Sequence, residues 1–166
     1  MKNILILVFL VFSKTSFSGD NTTYGSILLQ TKFTQYEQKY AECQRVAENN
    51  KLSDDVINKL SHLSRGAGVG LGFYQFKALE KCSSQEYLAV LTILLSLESL
   101  NKKVKVVAIE EQINTYKILL FSVNHIDLEK SYIDLPEEIV EQLSSISELV
   151  QPFNSFDAYD RAWPQD

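Results

Sequence analysis

"VKVVAIEEQINTYKILLFSV", residues 104–123, decides the fold class. Its two ends, "VKVVAI" and "YKILLFSV", carry enough β-branched and aromatic residues for the arms of a hairpin. Yet Val106, Ile109, Ile113, Tyr116, Leu120 and Val123 step by 3, 4, 3, 4 and 3, the spacing of one helix face. No glycine or proline marks a turn between the arms. The periodicity predicts a helix, and with it an all-α chain. A hairpin over 104–123 would make the fold α+β instead.

The same spacing recurs on both sides. Leu29, Phe33, Tyr36, Tyr40, Cys43 and Ala47 form a stripe that predicts a helix over roughly 26–48, ended by "NNK" at 49–51. Ser53 with Asp54 and Asp55 reads as a capped helix start, followed by Val56, Ile57, Leu60 and Leu63 to about Ser64. Phe73, Phe76 and Leu79 are again helical. "SSQE" at 83–86 has the form of a capping box, with Ser83 as cap and Glu86 three residues on. The helix it opens, through "YLAVLTILLSL" at 87–97, is apolar almost all round, which predicts a central buried element. Pro136, Glu137 and Glu138 suit a first turn, and Ile139, Leu143, Ile146 and Val150 continue a stripe that Pro152 closes. The simplest architecture is an antiparallel bundle of about five helices.

Residues 1–18 read as a cleaved secretory signal. Lys2 supplies the positive charge, "ILILVFLVF" at 4–12 is an unbroken apolar run, and Ser16 and Ser18 stand at the −3 and −1 positions of a cut before Gly19. A nine-residue helix spans roughly 14 Å, about half a bilayer core, so no permanent membrane span is expected after cleavage. The remainder, 19–166, is expected to be one helical domain with an acidic, aromatic tail at 151–166. An oxidising compartment, periplasmic or secreted, favours pairing of the chain's two cysteines, Cys43 and Cys82, as a structural disulfide.

Charge is distributed unevenly. Residues 127–166 hold ten acids against Lys130 and Arg161, a net −8, whereas 19–126 hold eleven acids and twelve bases. This balance argues against nucleic acid or an anionic membrane as partner and favours a basic protein. Self-association is left open.

"RGAGVGLGF", residues 65–73, gathers Gly66, Gly68, Gly70 and Gly72, four of the chain's six glycines. It fails the nucleotide tests. G-x-G-x-x-G would need glycine where Leu71 or Phe73 stands, and no Gly-Lys-Ser/Thr follows. The glycines read best as a helix contact face where another backbone passes closely; a loop after a helix ended by Gly66 and a strand are the alternatives. Gly70→Leu is then expected to damage folding. His62 and His125 have no ligand at metal spacing, and Ser64 beside His62 and Arg65 makes no triad by itself. Glu110, Glu111, Glu137 and Glu138 read as solvated or helix-end acids. The sequence thus offers no catalytic residue, cofactor site or metal site.

These exclusions shape the functional expectations. The first is an exported, non-enzymatic protein-binding domain, of the kind that masks a basic toxin or cell-wall hydrolase as an immunity protein or inhibitor does. Its contact residues would be Phe153, Phe156, Asp157, Tyr159, Asp160 and Trp163. The second is a helical carrier of a small apolar ligand, lined by Leu91, Leu94, Leu95 and the tyrosines. An envelope hydrolase ranks third.

Overall fold

The computed structural model describes residues 17–121 and 124–164, at 17–20 and 124 through the backbone alone. The expected leader at 1–18 therefore lies outside the described residues except for its last two positions. Among the described residues there are eight α-helices and no strand: α1 (Phe17–Asn49), α2 (Asp54–Ser61), α3 (Gly68–Cys82), α4 (Ser84–Val104), α5 (Val107–Leu120), α6 (Asn124–Ile133), α7 (Glu137–Ser144) and α8 (Ser155–Ala162). Two 3-10 turns, Arg65–Ala67 and Ser147–Val150, complete the chain trace. The fold is an all-α bundle with one disulfide. It has more helices than the expected five, because the last third is cut into short pieces.

The decisive stretch is helical over Val107–Leu120; Val106 stands before the helix in an extended conformation, and Val123 lies outside the described residues. Ile109, Ile113 and Leu120 are buried on one face of α5, with Tyr116 half-buried beside them. The turn that precedes it needs neither glycine nor proline. Asn101, nearly buried at the end of α4, donates from Nδ2 to the Val106 carbonyl (3.1 Å) and accepts from the Val106 N–H at Oδ1 (2.9 Å). Lys105 takes the left-handed conformation at φ 58° and donates its N–H to the Asn101 carbonyl. A side chain that mimics backbone bonding does the work usually left to a turn dipeptide.

Helices α1, α4 and α5 form one up-down-up unit. Its core is Leu29 and Phe33 from α1, Val90, Leu94 and Leu97 from α4, and the buried face of α5. Ser26 donates to Gln112 Oε1 (2.7 Å) and Lys117 pairs with Glu98 (2.9 Å), fixing the registers of α1 against α5 and of α5 against α4. The expectation that α4 is buried all round is corrected: Leu88 and Leu95 are 61% and 58% exposed. The three-helix unit covers α4 on one side only, so its apolar outer side remains at the surface.

A second core gathers Leu52, Val56, Leu60, Leu71, Leu143, Leu149 and Phe153 from the α1–α2 connection, α2, α3, α7, the second 3-10 turn and the tail. The expected continuous stripe over 139–150 is also corrected. α7 stops at Ser144, where Ser144 and Ser145 hydroxyls bond back to the Glu141 and Gln142 carbonyls. The tighter 3-10 turn then advances three residues per turn. It carries Leu149 inward behind Ile146 and leaves Val150 at the surface.

Two further elements differ from expectation. α1 begins at Phe17 rather than near Ser26. The capping box at 83–86 does not form: Ser83 has φ −105° and ψ 10°, and its hydroxyl donates backward to the Leu79 carbonyl (3.0 Å). α3 runs into α4 across this single residue, so Ser83 never takes the extended conformation that a cap uses.

The two cores are joined where Cys43 of α1 meets Cys82 of α3, with Cα atoms 6.1 Å apart and Ala47, Leu79 and Tyr40 packed around the bond. No helix of the described residues is long and apolar enough to cross a membrane.

Candidate functional site

The disulfide fixes the positions of the side chains just before each cysteine. One and two turns before Cys43 on α1 stand Tyr40 and Tyr36; within two turns before Cys82 on α3 stand Glu80, Lys77 and Phe76. α4 adds Tyr87, and α5 adds Leu119 and Leu120. Between them opens a cleft of about 720 Å³. That is within the roughly 300–1,000 Å³ typical of small-molecule sites.

One wall is aromatic. The Tyr36 ring centroid lies 5.9 Å from Tyr40, 5.6 Å from Tyr87 and 6.2 Å from Phe33, all at tilted angles. Burial pushes the Tyr36 hydroxyl up to about 12, with Tyr40, Tyr87 and the Glu80 carboxylate adding to the rise. Burial and then Glu80 raise Tyr40 and Tyr87 in the same direction. All three phenols therefore stay protonated and serve as donors at neutral pH.

The facing wall is charged. Lys77 is bonded to Glu129 of α6 and lies 3.3 Å from Glu80. Its ammonium sits 5.5 Å from the Phe73 ring centroid and 5.6 Å from that of Phe76. The bond to Glu129 is the main cause that holds the Lys77 pKa above its ordinary value. His125 packs its ring 4.5 Å from Phe76 at the edge of the cleft. The serines here are engaged by the backbone: Ser83 Oγ donates to Leu79 O, and Ser84 Oγ to Lys81 O (2.9 Å).

The leucines expected to line a ligand site are placed differently. Leu94 is buried in the three-helix core, Leu91 packs against that core, and Leu95 faces outward. Of that expected set only Tyr36, Tyr40 and Tyr87, three of the chain's eight tyrosines, line the cleft. Glu80, Lys77, Phe76 and Tyr87 carried no sequence motif. The cysteine pairing was the available signal, since joining Cys43 to Cys82 also brings Tyr40 and Glu80 to the same junction.

The tail residues divide into two groups. Phe153 is fully buried in the second core. Tyr159 accepts a hydrogen bond from Arg65 Nε (2.8 Å), and Trp163 Nε1 donates to the Leu63 carbonyl (3.0 Å). Asp157 pairs with Lys51 (2.6 Å) and Arg161 (3.2 Å), which hold its carboxyl below the usual range. Phe156, 81% exposed, and Asp160 point to solvent.

The glycines divide likewise. A Cβ on Gly68 would meet the Tyr159 ring at 2.5 Å, and one on Gly70 would run into Leu143 Cδ1. Gly66 has only Ser64 Oγ nearby, and Gly72 has nothing within 4 Å. The close approaches are of side chains from α7 and α8 to the α3 backbone, not of two backbones. His62 bonds through Nδ1 to the Asn58 carbonyl one turn back on its own helix (2.6 Å). Among the described residues no three His, Cys, Asp or Glu side chains gather as a metal site.

No protein-family model matches this chain, and no curated protein or solved structure matches it either.

Proposed function

We propose that this is a non-enzymatic binding protein that holds a small amphipathic organic molecule in the cleft at the disulfide junction. The observation that carries the reading is the cleft itself: about 720 Å³, walled by Phe33, Tyr36, Tyr40 and Tyr87, with phenol donors facing a charged wall. Apolar area with a few placed polar groups is what small-molecule sites present. The engagement of Ser83 and Ser84 with backbone carbonyls supports binding rather than nucleophilic chemistry. The disulfide and the leader pattern at 1–18 support a role in an exported, oxidising setting.

The test is a calorimetric titration with 1-naphthalenemethanol, a neutral planar probe. The expected result is one saturable site, weakened at least about tenfold by Tyr87→Ala, since aromatic truncation at a binding hot spot costs on the order of 1–2 kcal/mol or more. Equal binding by the folded variant would contradict the reading.

A second reading rests on one side chain. Phe156, exposed beside Asp160, supports a contact with a basic protein through α8. This is the part of the expected tail surface, Phe153 to Trp163, that intramolecular packing leaves available. If a basic envelope protein is retained on a column of this protein, Phe156→Ala should release it and added salt should weaken it; retention unaffected by both would contradict the reading.

A further inference from the structure

We propose that the cleft selects organic cations, pairing a ligand ammonium group with Glu80 and holding it against the faces of Tyr36, Tyr40 and Tyr87. This rests on the cleft being a ligand site, as proposed above, and adds the charge of the ligand.

Three observations converge on it. First, the charges around the cleft favour a cation. Glu37 and Glu80 line the cleft with Lys77 and Lys81, and Glu129, outside the lining, is bonded to Lys77 and offsets its charge. Glu37 and Lys81 are both exposed at the rim, where water screens their charges, which leaves Glu80 and Lys77 as the less screened pair. Lys77 is shared, and its shorter bond is to Glu129, so Glu80 is the less committed of its two carboxylates. A ligand ammonium can pair with Glu80 while Lys77 keeps Glu129.

Second, the opposite wall offers tyrosine faces, whose quadrupoles attract a cation within about 6 Å of the ring centroid. The mutual tilts of 44° and 54° between Tyr36 and its neighbours turn the rings toward more than one direction of approach. Burial of the rings lowers the local dielectric and strengthens the attraction.

Third, the site already holds an ammonium in this manner. The Lys77 Nζ rests on the Phe73 and Phe76 rings and is bonded to two carboxylates. The same combination of ring face and carboxylate is repeated by Tyr36, Tyr40 and Tyr87 with Glu80, which line the same cleft; burial raises all three phenol pKa values, and the Glu80 charge adds to the rise.

The test uses three probes on one skeleton: 1-naphthylmethylamine, 1-naphthalenemethanol and 1-naphthoate, titrated calorimetrically into the full chain with its disulfide intact at pH 7 and low salt. The amine should bind about tenfold tighter than the alcohol, and the carboxylate weakest. Glu80→Gln keeps the shape of the side chain; it should cancel the advantage of the amine over the alcohol. Lys77→Met, which removes the competing ammonium, should raise the affinity of the amine further. Equal binding of amine and alcohol to the wild type would overturn cation selection while the cleft reading stands. Absence of binding by all three would overturn the cleft reading, and this inference with it.

Discussion

Gly70 and Gly72 lie two residues apart on α3, and opposite outcomes are expected when each gains a methyl group. At Gly70 the new Cβ would collide with Leu143 Cδ1, and Leu143 is fully buried, so it has nowhere to turn. Overpacking of this kind costs about 1–3 kcal/mol. It outweighs the roughly 1 kcal/mol that alanine gains over glycine in a helix. Gly70→Ala should lower the urea midpoint, and Gly70→Leu should do so more severely. At Gly72 there is open space within 4 Å, so only the propensity gain remains, and Gly72→Ala should raise the midpoint by up to about 1 kcal/mol in stability. The run of alternating glycines reads as one face passed by another backbone, whereas only Gly68 and Gly70 are tight, and against side chains. That depends on where α7 and α8 return to α3, through Leu143 and Tyr159, far along the chain.

Where the chain enters α2, Ser53 and Glu148 form a clamp. The Ser53 N–H donates to Glu148 Oε2 (2.9 Å) and its hydroxyl to Oε1 (2.7 Å), tying the α2 start to the second 3-10 turn. These bonds, the backbone one first, hold the Glu148 carboxyl below its ordinary value of 4.5. A depressed folded-state pKa means the contribution is present above the unfolded value and lost as pH falls through the folded one. Unfolding free energy should therefore decline below about pH 4.5, with Asp157 adding to the decline at somewhat lower pH. Glu148→Gln should be less stable at pH 7 and show a shallower acid decline; a variant with the wild-type pH profile would contradict the clamp.

At this level much was legible. Periodicity alone identified α5, because Ile109, Ile113 and Leu120 recur at helical spacing whatever their β-propensity. The breaks were not legible. Ser83 reads as a cap until α3 is seen running straight into α4, and the stripe from Ile139 to Val150 hides a change to 3-10 winding. Hydroxyl bonds to nearby carbonyls decide both, and serine spacing does not reveal which carbonyl a serine will choose. The turn at Lys105 was hidden for a similar reason, since its bonds come from the Asn101 side chain.

Among the described residues two large cores flank a small apolar cluster at the disulfide, and the cleft lies at that junction. The sequence separation between the cysteines is 39, so the bond contributes about 2–4 kcal/mol by constraining the unfolded chain. Each core keeps its own buried leucines without it. Cys43→Ser/Cys82→Ser should therefore remain helical by circular dichroism, unfold at lower urea, and bind 1-naphthalenemethanol more weakly than stability loss alone explains. Unchanged affinity in the folded double variant would show that the walls hold their positions unaided.

Because the cleft is made by that junction, its lining could not be read from local pattern. Tyr36 and Tyr40 were visible as part of a stripe, while Glu80 and Tyr87 become neighbours of that stripe only after α3 and α4 close on α1. The most direct measurement is an isotope-filtered nuclear Overhauser spectrum of the labelled chain saturated with unlabelled 1-naphthalenemethanol. Cross-peaks from the probe to ring protons of Tyr36, Tyr40 and Tyr87 are the predicted result. Cross-peaks confined to other surfaces, such as Phe156 on α8, would contradict the assignment of the cleft as the binding site.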